Sequence, residues 1–295
     1  MVQAPVALRV DVDTRRGLTE GVPRLLELFR RLDVSASFFV TMGPDRSGLA
    51  IRRAWRPSFV AKMLRTNPFR LYGVRTLLSG TLLPAQAVGA GAPDLLRQIL
   101  AAGHEVAPHG WDHVTWQDRI ERLTPAALRA DLTAAARAFE AIFGVPPATS
   151  AAPGWRTTEA ALLVQEELGL RYASDVRGAA PFRPRAAGGS LKTLQIPTTM
   201  PTMDELLGRV PDVAHALTAA LGDGLNVFTL HAEVEGGPLL DAFGDWLTGV
   251  RRTGRPLVRV RELADTALAG AVQDTRIARG HVAGRSGWVA VAGGA

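Results

Sequence analysis

Short β-branched runs alternate with amphipathic helical stretches along most of the chain, and this order constrains the fold more than any single motif. Val6 to Val12 (VALRVDV) has the length and branching of a buried strand, and Thr19 to Leu32 follows with Val22, Leu25, Leu26, Phe29 and Leu32 at helical spacing. Thr19 is placed as the N-cap of that helix, with Pro23 in its first turn. Ser35 to Val40 is the next strand. After an interruption the pattern resumes with a helix near Asp94 to Ala102, a Gly103 stop and the strand Glu105 to Pro108. Helix Pro125 to Phe143 lies between Thr124 and Gly144, and helix Thr158 to Leu168 is closed by Gly169. The remaining strands are read at Ala148 to Ala151, Arg171 to Ser174, Thr193 to Ile196, Asn226 to Leu230 and Pro256 to Val258, before a last helix at Val260 to Leu268. Seven or eight strands alternating with helices predict an α/β fold, either a (β/α) barrel or an open doubly wound sheet. In both, chemistry belongs at the C-terminal ends of the strands.

Composition narrows the chemistry. The 295 residues include no cysteine, which excludes thiolate ligands and a cysteine nucleophile, so any metal must be held by His and carboxylate. The start MVQAPVALRVDVD lacks a basic stretch followed by a long apolar one, so a cytoplasmic protein is expected. Thr76 to Pro93 is uncharged but broken by glycine and proline, and reads as a loop or interfacial segment.

The net charge of +6 is unevenly placed. Between Arg46 and Pro93 stand eight bases (Arg46, Arg52, Arg53, Arg56, Lys62, Arg65, Arg70, Arg75) and no acid; after Asp274 come Arg276, Arg279 and Arg285, again without an acid. The rest of the chain holds 23 bases against all 28 acids. In the first segment Trp55, Phe59, Val60, Met63, Leu64 and Phe69 interleave with the bases, and four of them fall on one helical face. A basic amphipathic insert of this kind suits an anionic membrane surface or a lipid phosphate; nucleic acid and an ordinary solvated helix are the alternatives.

Three groups at strand ends could carry a reaction. Asp11 and Asp13 are two apart, so both can face one cleft if the strand continues. Such close carboxylates repel unless a cation or proton intervenes. His109 and His113 have the i, i+4 spacing that zinc helices use, so a helical turn is expected to bring the imidazoles together. With Asp13 they would form a facial site of two His and one carboxylate. His231 ends the run NVFTLH, near Glu233 and Glu235, and could act as a general acid.

These groups, in this order, resemble the motifs of the polysaccharide deacetylase (NodB-homology) family. The resemblance implies a distorted (β/α)7 barrel over 1–268, with 46–93 as a basic insert facing membrane or lipid and 269–295 as a C-terminal tail. It also implies Asp11 as catalytic base, His231 as catalytic acid, and Asp13, His109 and His113 as ligands of a divalent metal such as Zn, Mn, Co or Ni. SAAPGWR stands where the family carries an arginine that orients the base, which leaves Arg156 displaced beside Trp155; Asp175 takes the place of a residue that orients the acid. KMLRTNPFRLYG, SDVRGAAPFRP, TLHAEVEG and ARGHVAGRSGW further resemble one subfamily, the 4-deoxy-4-formamido-L-arabinose-phosphoundecaprenol deformylases. That implies deformylation of a sugar linked to undecaprenyl phosphate, at the cytoplasmic face of the inner membrane, in lipid A modification and polymyxin resistance, with no nucleic-acid partner. Arg52, Arg53, Arg56, Lys62, Arg65, Arg177 and Arg183 are the candidate phosphate or lipid contacts. The competing readings are an N-deacetylase of peptidoglycan or oligosaccharide, a non-catalytic lipid or nucleic-acid binder, and an Fe(II) oxygenase on the same facial site.

Overall fold

The computed structural model describes residues 3–53, 63, 65 and 68–293; for 68–72 it describes the backbone alone. The strands are β1 Val6–Val12, β2 Ser37–Val40, β3 Glu105–Pro108, β4 Thr149–Ser150, β5 Tyr172–Ala173, β6 Phe182–Ala186, β7 Gly189–Ser190, β8 Leu194–Gln195, β9 Asn226–His231, β10 Leu257–Val258, β11 Gln273–Thr275, β12 Ile277–Gly280 and β13 Val289–Ala292. The expected α/β alternation with parallel strands is present. β10, β1, β2 and β3 form a parallel sheet, with β9 pairing the other side of β1. A second sheet runs β11, β6, β8, β5, β4; β6 is antiparallel to β8 there, and the other pairs along that path are parallel. Backbone bonds link the two sheets on both sides: Ala151 N donates to Pro108 O at 3.1 Å, and Thr199 N and Met200 N each donate to Val227 O at 3.2 Å.

β1 lies at the centre of this arrangement, paired along both edges, and all seven of its residues are buried. That explains a near-continuous apolar run with only Arg9 and Asp11 as charges. Helix Val22–Leu32 presses Leu25, Leu28 and Phe29 onto the sheet, where Phe29 meets Phe38 and Phe243 edge-on, each at 6.2 Å between ring centres. Each such buried side chain contributes about 1.5–3 kcal/mol. The helix does not begin at Thr19. Residues Gly17–Gly21 form a π-helical turn, and the helix proper is capped by Gly21. A side chain at Gly21 would lie 1.9 Å from Ala232 O, so only glycine lets this turn abut the end of β9.

His104 illustrates how tightly this layer is built. It is buried between Phe29 and Phe38, and its Nδ1 accepts from Ala36 N at 3.1 Å, which requires the neutral ring. Burial pushes its pKa down to about 4. The unfolded chain therefore binds the extra proton first, and stability falls as pH drops from about 6.5 to about 4. His104→Asn, whose Oδ1 can accept from Ala36, should flatten that part of the pH profile in thermal melts. An unchanged slope would mean that other groups set acid sensitivity.

The segment expected as a tail is integrated with the sheets. β11 pairs with β6, and β12 and β13 form a hairpin. Arg177 N donates to Ala290 O at 2.9 Å and Ala292 N to Arg177 O at 3.1 Å, tying that hairpin to the chain after β5. In the basic segment, Ser47–Arg53 is a 3₁₀ turn and Pro68–Leu78 is helical, broken at Gly73 (φ 75°). Trp55, Arg56, Phe59, Val60, Lys62 and Leu64, on which the amphipathic reading chiefly rested, lie outside the described residues.

Candidate active site

Because β1, β3 and β9 run the same way, Asp11 and Asp13, His109 and His231 all emerge at one end of their sheet. Asp11 and His231 are register partners on adjacent strands. A cleft of about 150 Å³ at this end is lined by Asp11, Asp13, His109, His113 and His231 together. The sequence reading placed these five as one site, and the structure brings them together.

The histidine pair is not on one helix, contrary to the expectation from its spacing. His109 follows β3, Gly110 turns the chain with φ 71°, and His113 opens the helix His113–Arg119, leaving the ring centres 5.4 Å apart. Asp131 braces this turn by accepting from Trp111 N and Asp112 N, both at 3.0 Å, and Asp112 caps the helix by accepting from Thr115 N.

Asp13 lies between the two rings. Its Oδ1 is 3.4 Å from His109 Nε2 and its Oδ2 3.2 Å from His113 Nε2. His109 Nδ1 is 2.9 Å from Ala151 O, a pure acceptor, so Nδ1 carries the hydrogen and Nε2 offers a lone pair. His109 Nε2 and Asp13 Oδ1 are both buried without a hydrogen-bond partner among the described residues. Two acceptors facing each other at this distance in a buried site call for a cation between them. Asp13, His109 and His113 offer three ligand atoms within 4.8 Å of one another, so the residues present fit a divalent ion. Burial pushes the His109 ring down to about 4, keeping it neutral for ligation. Burial alone would raise the Asp13 carboxyl; His113, with help from His109 and His231, holds it well below the ordinary range.

Asp11 is held by a residue that the sequence reading missed. Arg9 Nε and Nη2 each donate to one Asp11 oxygen at 2.7 Å, a bidentate pair with both side chains buried. Arg9 in turn donates to Ser174 O, and its guanidinium lies over Phe39 and Trp155 at 5.3 and 5.2 Å. The signal was present in the sequence. Arg9 and Asp11 are two apart on one strand, so their side chains share a face. Arg156 is elsewhere, donating to Gln117 O and Trp288 O. Asp175 accepts from Gln195 Nε2 at 3.0 Å, and Gln195 accepts from the Asp175 N–H, so this carboxyl is anchored to Gln195; burial pushes it up.

Beside His231 stands Trp155, with the rings edge to face at 6.3 Å. Trp155 has a left-handed backbone (φ 53°), strained for a bulky residue, and donates from Nε1 to Thr198 Oγ1 at 2.9 Å. The turn after His231 is fixed by Glu235, whose Oε2 accepts from His231 N at 2.7 Å. Burial raises Glu235 to about 8 and, aided by the Asp13 charge, lifts Glu233 well above its ordinary value.

The basic segment forms one wall of the cleft, contributing Ser47, Ala50, Arg53, Met63, Thr76 and Leu77. Several of its arginines turn inward. Arg46 pairs with Asp112 at 2.5 Å and Arg53 with Asp118 at 2.7 Å, both acids lying beside His113 or on its helix. Arg65 donates to the carbonyls of Asp204, Leu207 and Gly284. Arg52 is exposed. Arg177 is a structural residue, bonded to Glu205 Oε1 and Met200 O at 2.9 Å each, and Arg183 donates to Lys192 O, so neither is placed in the cleft. Arg56 and Lys62 lie outside the described residues.

Known proteins are similar to this chain in sequence and fold. The profile of the polysaccharide deacetylase family matches residues 3–173. A protein from Shewanella sediminis (strain HAW-EB3), named "probable 4-deoxy-4-formamido-L-arabinose-phosphoundecaprenol deformylase", is 39% identical over 96% of this chain and 93% of its own. A protein of the same name from Wigglesworthia glossinidia brevipalpis is 31% identical, over 93% and 97%. In three dimensions a polysaccharide deacetylase homologue from Mycobacterium smegmatis superposes with a TM-score of 0.62 at 20% identity, over 96% of this chain and 99% of its own. With the family profile matching more than half of the chain and relatives matching almost end to end, the chain belongs to the polysaccharide deacetylase family.

Proposed function

We propose that this protein is a metal-dependent hydrolase that removes the formyl group from 4-deoxy-4-formamido-L-arabinose carried on undecaprenyl phosphate, in lipid A modification and polymyxin resistance. The relatives named for that reaction support the substrate. The observation that carries the chemistry is the facing pair of unpartnered acceptors, His109 Nε2 and Asp13 Oδ1, beside a clamped carboxylate. We read the strands as a distorted (β/α)7 barrel, a reading supported by the bonds that join the two sheets.

Asp13, His109 and His113 would hold Zn, Mn, Co or Ni, any of which suits this donor set. When bound, such an ion polarises the amide oxygen and makes a water more acidic. Asp11, kept in one orientation by Arg9, takes the proton of the attacking water. The water oxygen bonds to the formyl carbon, the C–N bond breaks, and His231 gives a proton to the leaving nitrogen. Formate and a free amine result. Trp155 and the Glu235 bond to His231 N keep the His231 turn in place.

The site faces a membrane-borne substrate without spanning the bilayer in this reading: among the described residues no helix is long and apolar enough to cross a membrane. Exposed Ile51, Val74 and Leu82 stand in the acid-free segment with exposed Arg52 and Arg75, supporting peripheral contact with the inner face of the inner membrane.

A competition assay separates this from the alternative, an N-deacetylase of peptidoglycan or oligosaccharide. Metal-replete protein given the lipid-linked formamido sugar and an N-acetylated oligosaccharide together should release formate and leave the acetyl groups in place. Acetate release without formate would overturn the deformylase reading.

A further inference from the structure

The two acid-free basic segments of the sequence meet at one cleft. Arg53 comes from the first and Arg285 from the second, and both line the space that holds Asp13, His109 and His113. Both side chains are largely buried, 15% and 11% exposed. Arg53 keeps a donor in reserve, and Arg285 has a long bond to a carboxylate that it shares with another arginine. Arg53 Nε donates to Asp118 at 2.7 Å, yet its Nη2 is buried with no partner among the described residues. Arg285 sits over the Trp155 ring at 4.4 Å. The carboxylate beside it, Glu205 Oε1, is 3.5 Å away and already receives Arg177 at 2.9 Å.

A buried guanidinium N–H without an acceptor is unfavourable, and the fork geometry of arginine matches anions with several oxygens. Three of the four acids that line the cleft are engaged elsewhere. Asp11 is taken by Arg9, Asp13 belongs to the metal set, and Asp204 accepts from Thr202 Oγ1 at 2.5 Å. Glu233 is the remaining one, its Oε2 buried without a hydrogen-bond partner among the described residues. Two forks from separate segments suit a tetrahedral group better than a planar carboxylate.

We propose that Arg53 and Arg285 form a phosphoryl-binding pair, holding the phosphate that joins sugar to lipid while the formamide reaches the metal site. This rests on the reading that the substrate is a glycosyl phosphate, and it adds a residue from the C-terminal segment to that site.

The test compares two formamidoarabinose substrates, the geranyl phosphodiester and the methyl glycoside that lacks phosphate, with Arg53→Gln, Arg285→Gln and the corresponding Lys variants. Each Gln variant should raise KM for the phosphodiester by about tenfold, the scale of one charge-assisted hydrogen bond, with a clearly smaller change for the glycoside. The Lys variants should recover part of the loss. Equal losses on both substrates, or none on the phosphodiester, would overturn the proposal. Calorimetric titration with geranyl phosphate and with inorganic phosphate separates the possible anions: tighter binding of geranyl phosphate, weakened about tenfold by either Gln variant, supports a lipid-linked phosphate, whereas equal binding of inorganic phosphate overturns it. If neither sugar yields formate while geranyl phosphate still depends on both arginines, the deformylase reading fails and the anion pair stands.

Discussion

Asp13→Asn is expected to lower formate release by about three orders of magnitude while leaving the metal-free protein at least as stable as the wild type. The two effects have opposite signs for one physical reason. In the wild type Asp13 Oδ1 faces the lone pair of His109 Nε2 at 3.4 Å, which favours a cation and disfavours the empty site. Asparagine keeps the shape and replaces one acceptor by an N–H donor, so the pair can hydrogen bond directly and the charge that attracts a divalent ion is gone. Losing several kcal/mol of electrostatic stabilisation corresponds to about 10³ in rate. Metal content, thermal melts with and without chelator, and formate release on the same preparations check all three parts. The wild type alone should gain stability on adding metal, in proportion to the logarithm of its concentration above the dissociation constant. A variant that binds metal stoichiometrically and turns over normally would remove Asp13 from the ligand set.

Arg9→Met should damage both folding and catalysis. It leaves the Asp11 carboxylate, 2% exposed, without its bidentate partner, and breaking a buried ion pair from one side is worth about 3–5 kcal/mol. Where the variant still folds, kcat should fall about a hundredfold with little change in KM, because a base that is no longer oriented weakens the chemical step and leaves ground-state binding intact. Arg9→Lys keeps the charge but not the fork, so stability should return further than kcat. Adding Asp11→Asn to Arg9→Met should restore melting temperature without restoring activity, since the orphaned charge is removed together with the base. A structural role alone predicts that activity follows stability through this series.

The positions of the main elements were readable because they depend on local patterns. β1, β3, the helix Pro125–Phe143 between Thr124 and Gly144, and the helix Val260–Leu268 occupy the residues that periodicity and capping assign. The five residues around the cleft were equally legible, since strand ends in a parallel sheet share one side. What was not legible depends on partners distant in sequence. β11 is a short piece that exists by pairing with β6, and nothing in QDT alone marks a strand. The start of the first helix moved because Gly17–Gly21 is shaped by contact with Ala232, which Thr19 does not announce. The positive insert looked like a free basic surface because its counter-charges, Asp112 and Asp118, lie more than sixty residues further on. Arg9 is the instructive case: its spacing from Asp11 was visible, but an arginine inside a buried strand is expected only once the carboxylate beside it is known to be buried too.

The central claim is that this cleft hydrolyses a sugar formamide with a divalent ion held by Asp13, His109 and His113. The most direct measurement follows a ¹³C-formyl-labelled, lipid-linked formamidoarabinose by NMR, using protein stripped with chelator and then titrated with divalent metal. The account predicts no reaction in the stripped protein, and after reconstitution one labelled formate for each free amine, at a rate that saturates near one metal per chain. Unchanged substrate in the presence of fully metal-loaded protein, or formate release that is indifferent to the chelator, would contradict it.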